Sequence, residues 1–165
     1  FGKRSFHLHL AVAPTKNNER YKWLLEKTTE IGIDEITPII CQKSERKILK
    51  IERMEKVIIA AMKQSEKAFL PKLNKPISLE NFLTKSFDYN KYIAHCRKGQ
   101  KKSLKQHIRP KKDILILIGP EGDFSEKEIK QAIKKGFKPV SLGNSRLRTE
   151  TAAVAACQTI NLLNE

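Results

Sequence analysis

The sequence predicts an α/β fold whose sheet is mostly parallel and flanked by helices. Three observations carry this. Strand-like and helix-like stretches alternate along the 165 residues, the order expected of strand–helix–strand units. The run Ile114-Leu115-Ile116-Leu117-Ile118 is apolar at every position, as a strand covered on both faces must be. Two segments, 114–125 and 140–156, each pass from an apolar strand through a glycine loop into a helix. At such junctions an α/β fold brings backbone groups up to a ligand.

The elements follow in order. Residues 6–13, FHLHLAVA, read as a strand with a buried face. Residues 18–31 have helical spacing: Tyr21, Leu24, Leu25, Thr28 and Ile31 share a face, Asn18 is the expected N-cap and Gly32 the stop. Residues 35–41 make a second strand. Residues 50–68 make a long amphipathic helix with Ile51, Met54, Ile58 and Ala61 inward, ended by Leu70-Pro71. A short helix over 78–85 and a strand over 91–96 precede a basic segment and the apolar strand 114–118. Ser125 and Glu128 have the spacing of a capping box, with Phe124 and Ile129 as its hydrophobic staple. Gly136 stops that helix, 138–142 is the last strand, and 150–163 is an alanine-rich helix thin enough for close packing against a partner. There is no internal repeat and no linker, and the length suits one domain over 1–165.

Lys plus Arg number 33 against 18 Asp plus Glu, a formal charge of +15. Such an excess points to a polyanionic partner, nucleic acid first; a solubilising surface is the alternative. Residues 97–112 hold eight Lys or Arg and no acid, and 43–56 add six more basic residues. Cys41, Cys96 and Cys157 are far apart and form no CxxC pair, so neither a zinc site nor a disulfide framework is expected. Cys41 and Cys157 sit in apolar runs and read as small buried residues; a reducing cytoplasm suits all three. No apolar stretch is long enough to span a membrane, and no signal peptide is visible. The chain starts at Phe1 without a methionine, which suggests a fragment or a processed form.

Neither GxGxxG nor GxxxxGK[ST] occurs, which removes the usual dinucleotide and P-loop fingerprints. The turn Gly119-Pro120-Glu121-Gly122 stands where a parallel sheet puts its ligand, although a plain strand-to-helix turn would read the same. The loop 142–150 concentrates Gly143, Arg146, Arg148, Thr149 and Glu150 at a helix entrance, where an arginine can clamp a phosphate or steady a carboxylate.

IGPEGDFSEKEI (118–129) and SLGNSRLRTETA (141–152) resemble the two signature segments of SPOUT-class RNA methyltransferases, and most closely those of the RsmE family, which methylates N3 of a uridine in 16S ribosomal RNA. LLEKTTEIG (24–32), TPIICQKSER (37–46) and AAMKQSEKAFLP (60–71) are similar to three further family segments, in order along the chain. Departures are Asp123 where the family has a second glycine, Arg146 where it has isoleucine, and Lys63 where it has glutamate. The family's N-terminal PUA-like domain, thought to grip RNA, has no counterpart in this sequence.

The resemblance implies a C-terminal trefoil knot, a homodimer formed through it, and S-adenosylmethionine as cofactor. Its pocket would comprise Gly119, Glu121, Gly122, Gly143, Arg148 and Thr149, with Ile118, Leu142 and Leu147 flanking the adenine and His95 and Cys96 closing one side. Methylation at N3 needs in-line positioning and loss of the imide proton. Arg148 would stabilise charge on the uracil carbonyls, while Glu121 or Glu150 would accept the proton or orient an arginine, with Glu30 a further candidate. Lys43, Arg46, Lys47, Arg97, Lys98, Lys101 and Lys102 would meet the RNA or the small ribosomal subunit, in the cytoplasm. Two other readings remain open: 2′-O-ribose methylation, and a non-catalytic RNA-binding or ribosome-assembly module.

Overall fold

The computed structural model describes residues 4–99 and 101–165; Gln100, inside the basic segment 97–112, lies outside them. Eight strands form one sheet: β1 (Leu8–Val12), β2 (Glu35–Ile40), β3 (Lys72–Leu73), β4 (Ile77–Ser78), β5 (Asn90–Ala94), β6 (Lys102–Ser103), β7 (Ile114–Ile118) and β8 (Lys138–Ser141). The order is β3-β2-β1-β7-β5-β8-β6, with β4 also against β2, and every pairing is parallel. The apolar run Ile114–Ile118 is thus a central strand between β1 and β5.

Its alternation explains the two-sided core. Ile114, Ile116 and Ile118 join Leu8, Leu10, Tyr92 and Val140 under α1 (Asn18–Ile31), α2 (Ile51–Gln64) and α6 (Thr149–Leu162). Leu115 and Leu117 join Ala11, Ile39 and Ile93 under α3 (Leu79–Phe82) and α5 (Glu126–Lys134). A short α4 (Leu104–His107) follows β6.

Several boundaries differ from the sequence reading, each for a local reason. The N-cap of α1 is Asn17, whose side chain accepts from the Glu19 N–H at 2.8 Å. The long helix ends at Gln64, well before Pro71, because the Ser65 hydroxyl turns back to donate to the Ala61 carbonyl at 2.7 Å and Glu66 enters the left-handed region at φ 57°. Pro38 sits inside β2 without breaking the ladder: β3 pairs residues 35–36 and β4 pairs residues 39–40, so the proline falls in the gap. The capping box at Ser125 and Glu128 is formed, with both reciprocal bonds and with Phe124 and Ile129 buried.

The alanine-rich helix packs closely within the chain itself. Its small face is filled within the chain: Ala153, Ala156 and Cys157 are buried, and the Cys157 thiol points at the Gly32 carbonyl at 3.3 Å. Gly32 has φ +136°, and a Cβ there would collide with Arg4 and Asn161. Close approach between α1 and α6 therefore accounts for the small residues on this face.

Candidate functional site

All strands being parallel, their C-terminal ends share one edge of the sheet, and the loops after β1, β2, β5, β7 and β8 gather there. This is the edge at which an α/β sheet presents a ligand site. Two adjoining hollows open between the loops after β5, β7 and β8. One, of 440 Å³, is lined by residues including His95, Cys96, Leu142, Gly143 and Leu147. The other, of 240 Å³, includes Ile118, Gly119, Glu121, Arg148 and Thr149. Ala94, Cys96, Arg146, Leu147 and Ala152 border both, so they are two lobes of one cleft.

Side-chain bonds to backbone fasten the walls. The Thr149 hydroxyl, buried at the start of α6, donates to the Gly119 carbonyl at 2.8 Å and so joins the two glycine loops. Asp123 adopts φ 68°, a left-handed conformation that Asp tolerates better than most residues. Its carboxylate accepts from the Cys96 N–H at 2.9 Å and the Phe124 N–H at 2.8 Å. The loop after β5 is thereby tied to the loop after β7, which gives a role to a position where the resemblance had suggested glycine. The Arg97 Nε adds a bond to the Phe124 carbonyl at 3.0 Å. Burial holds the His95 imidazole below its ordinary pKa; Lys101 and Arg97 push the same way against Asp123. The imidazole is therefore neutral at neutral pH, consistent with its Nδ1 accepting from the Arg97 N–H at 3.2 Å.

Ten of the eleven residues expected around a cofactor line the cleft. The exception is Gly122, where a Cβ would face the Lys43 side chain at 3.2 Å instead. Arg148 and Glu121 are at the cleft, but Glu150 is not: it is buried against α1, 3.9 Å from the Arg20 Nε, and its Oε2 has no hydrogen-bond partner among the described residues. Glu30 stands at the far end of α1, paired with Lys27 at 3.6 Å. Among the basic residues, Lys43, Lys47, Lys98 and Lys102 are exposed. Arg97 and Lys101 are half-buried and spend donors on backbone carbonyls, Arg97 on Phe124 in the loop after β7 and Lys101 on His95 and Arg97 in its own loop. Sequence reasoning missed Ala94, Asp123 and Ala152 as wall residues. Only their smallness, or a polar residue at a glycine position, could have signalled them.

A larger cavity, of 960 Å³, lies at the opposite end of the sheet between Arg4, Gly32, Asp34 and Phe69. It touches none of the glycine loops, and the Arg4–Asp34 ion pair at 3.1 Å crosses its wall.

Fold and cleft together define a parallel α/β domain of the SPOUT-like methyltransferase kind. The model of the RNA methyltransferase domain matches residues 3–161, and the chain belongs to this family. It is 32% identical over 157 residues to the ribosomal RNA small subunit methyltransferase E of Mesomycoplasma hyopneumoniae, covering 92% of this chain and 67% of that protein. It is 34% identical to the enzyme of the same name from Rickettsia conorii, covering 94% and 64%. The chain thus spans about two thirds of the length of these relatives. Among solved structures, a probable rRNA-methyltransferase from Porphyromonas gingivalis superposes with TM-score 0.91 at 43% identity, covering 96% of this chain and 68% of that one. A ribosomal RNA small subunit methyltransferase E from Neisseria gonorrhoeae bound to S-adenosyl methionine superposes with TM-score 0.87 at 29% identity, covering 96% and 67%.

Proposed function

We propose that this domain binds S-adenosylmethionine in the two-lobed cleft and methylates N3 of a uridine in the 16S RNA of the small ribosomal subunit. The observation that carries the reading is the closure of the two glycine loops on each other through Thr149 and Gly119, in a chain of the RNA methyltransferase family. The residues present fit the cofactor. The backbone N–H groups of 144–148 donate to no acceptor among the described residues, and Ile118, Leu142 and Leu147 supply apolar walls beside them. That pairing of free backbone donors with apolar surface suits a purine.

The cofactor, when bound, supplies an electrophilic methyl group. The chain supplies position and charge. Fixed loops hold the two reactants in one geometry. Arg148, exposed at the rim, stabilises negative charge on a uracil carbonyl as the N3 proton leaves. Glu150, turned to Arg20, acts on the entrance of α6 rather than on the base. Lys43, Lys47, Lys98 and Lys102 meet phosphates, contacts that position RNA and weaken with salt. The target base enters the cleft unstacked. A knotted C-terminal threading, pairing of two copies and work in the cytoplasm belong to the same reading. No helix among the described residues is long and apolar enough to cross a membrane.

Calorimetric titration with S-adenosylmethionine, with ATP as control, tests the cleft. Mass spectrometry of nucleosides from treated small-subunit RNA then tests the acceptor, with 3-methyluridine as the expected product. A 2′-O-methyl product alone would replace the acceptor. Salt-sensitive RNA binding with no cofactor affinity would reduce the domain to an RNA-binding module.

A further inference from the structure

Glu121 lines the smaller lobe of the cleft, yet its carboxylate is already engaged outside it. Oε1 accepts from the backbone N–H of Lys16 at 2.8 Å, across 105 residues of sequence. The carbonyl of the same Lys16 accepts from the Arg46 Nε at 3.0 Å. One peptide segment in the loop after β1 is therefore gripped on its N–H side by the loop after β7 and on its carbonyl side by the loop after β2. Beyond the grip is a second hollow, lined by Lys16, Glu45, Arg46, Lys47 and Ile48. Its charge is positive by three to one. Ile48 is 79% exposed within it, an apolar surface among cations of the kind that a ribose or base covers while phosphates meet the charges.

We infer that Glu121 is a positioning residue: by holding the Lys16 peptide, and Arg46 with it, it sets a basic hollow in which the RNA backbone docks beside the cleft. This rests on RNA being the substrate. It takes Glu121 away from proton transfer and makes the turn 119–122, a wall of the cofactor lobe, also the support of the RNA-binding rim. Lys16, silent in the sequence, becomes the point where three loops meet. A carboxylate that accepts from a backbone N–H forms a charge-assisted bond, stronger than a neutral one. The Lys16 ammonium adds an exposed pair to Glu45 at 3.4 Å, a contact that contributes little.

The test compares Glu121→Ala with Glu121→Gln, whose amide oxygen still accepts from the Lys16 N–H. Affinity for a small-subunit RNA transcript is read by fluorescence anisotropy, cofactor affinity by calorimetry, and turnover as kcat and KM separately. E121A is expected to weaken RNA binding about tenfold and to raise KM for RNA by a larger factor than it lowers kcat. E121Q is expected to recover most of the RNA affinity. If both variants lose kcat alike with RNA affinity intact, Glu121 is a reacting group and the inference falls. It falls equally if E121A binds RNA as the wild type does. Should the wild type bind RNA but neither cofactor nor methyl transfer be found, the methyltransferase reading fails, while the anisotropy comparison still decides the role of Glu121.

Discussion

The two glycine loops of the cleft face each other but are held in opposite ways. In the loop after β7, Gly119 and Pro120 are buried, Glu121 reaches Lys16, Asp123 reaches Cys96, and Thr149 reaches in to Gly119. In the loop after β8, residues 143–146 are exposed, and the side-chain bonds are a mutual pair between Ser141 and Gly143. Gly119 is a glycine because of what stands behind it: a Cβ would come 3.1 Å from the Phe124 ring. Gly143 is a glycine because of its backbone, at φ +135° with open space around. The first loop is a preformed wall. The second is an exposed surface whose backbone N–H groups at 144–148 donate to no acceptor among the described residues.

The largest expected effect separates the two glycines. Gly119→Val forces the Phe124 ring aside and should lower the unfolding free energy by about 1–3 kcal/mol, as overpacking does, and abolish cofactor binding. Gly143→Val puts its Cβ in open space and should cost about 1–3 kcal/mol through backbone strain alone, at φ +135°, while its side chain still blocks the cleft. Urea unfolding with calorimetry measures both; trimming the ring with Phe124→Leu should relieve part of the Gly119→Val loss and none of the Gly143→Val loss, and equal relief would break the comparison. Next is the link between the loops. Thr149→Val leaves the Gly119 carbonyl without its donor and should cost about 1–2 kcal/mol in stability and up to about tenfold in cofactor affinity, whereas Thr149→Ser should keep both.

The smallest effect is in pH. The folded-state pKa of His95 lies below its unfolded value of 6.5, so stability is constant above that pH and declines as pH falls beneath it. Buried His9, held to about 4 mainly by burial and bonded at 2.7 Å to Thr37, contributes a steeper decline over the interval from 6.5 down to about 4. The difference between wild type and His95→Asn, in urea unfolding at about pH 8 and about pH 5.5, isolates the loop's share. The curve should be slightly shallower in the variant.

The fold class was legible because its signals are local. The Ile114–Ile118 run, the capping box and the glycine stops each depend on residues within one turn or one strand. What escaped were two-residue strands such as Lys102–Ser103, too short to carry a period, and α4 with them. At the site, positions in the glycine loops were legible because their backbone geometry is written in residue type. The roles of charged side chains were not. Glu150 and Glu121 look alike in sequence, and only the packing of α1 against α6 turns one inward, while a bond across 105 residues occupies the other. The backbone acceptors of Arg97 and Lys101, which fix how much of each side chain is left to face a partner, cannot be read from a run of basic residues.

The strand order has a consequence for the birth of the molecule. The middle strand of the sheet comes late in the chain: the His7 N–H waits for Asp113, made 106 residues afterwards. At about 5–20 residues per second, synthesis leaves roughly 5–20 s in which β1 has only β2 beside it. Through that interval an apolar edge, Leu8 to Val12, lies open on the nascent chain. The sheet can therefore close only when the last third of the chain has been made, and the order of synthesis leaves its centre until late.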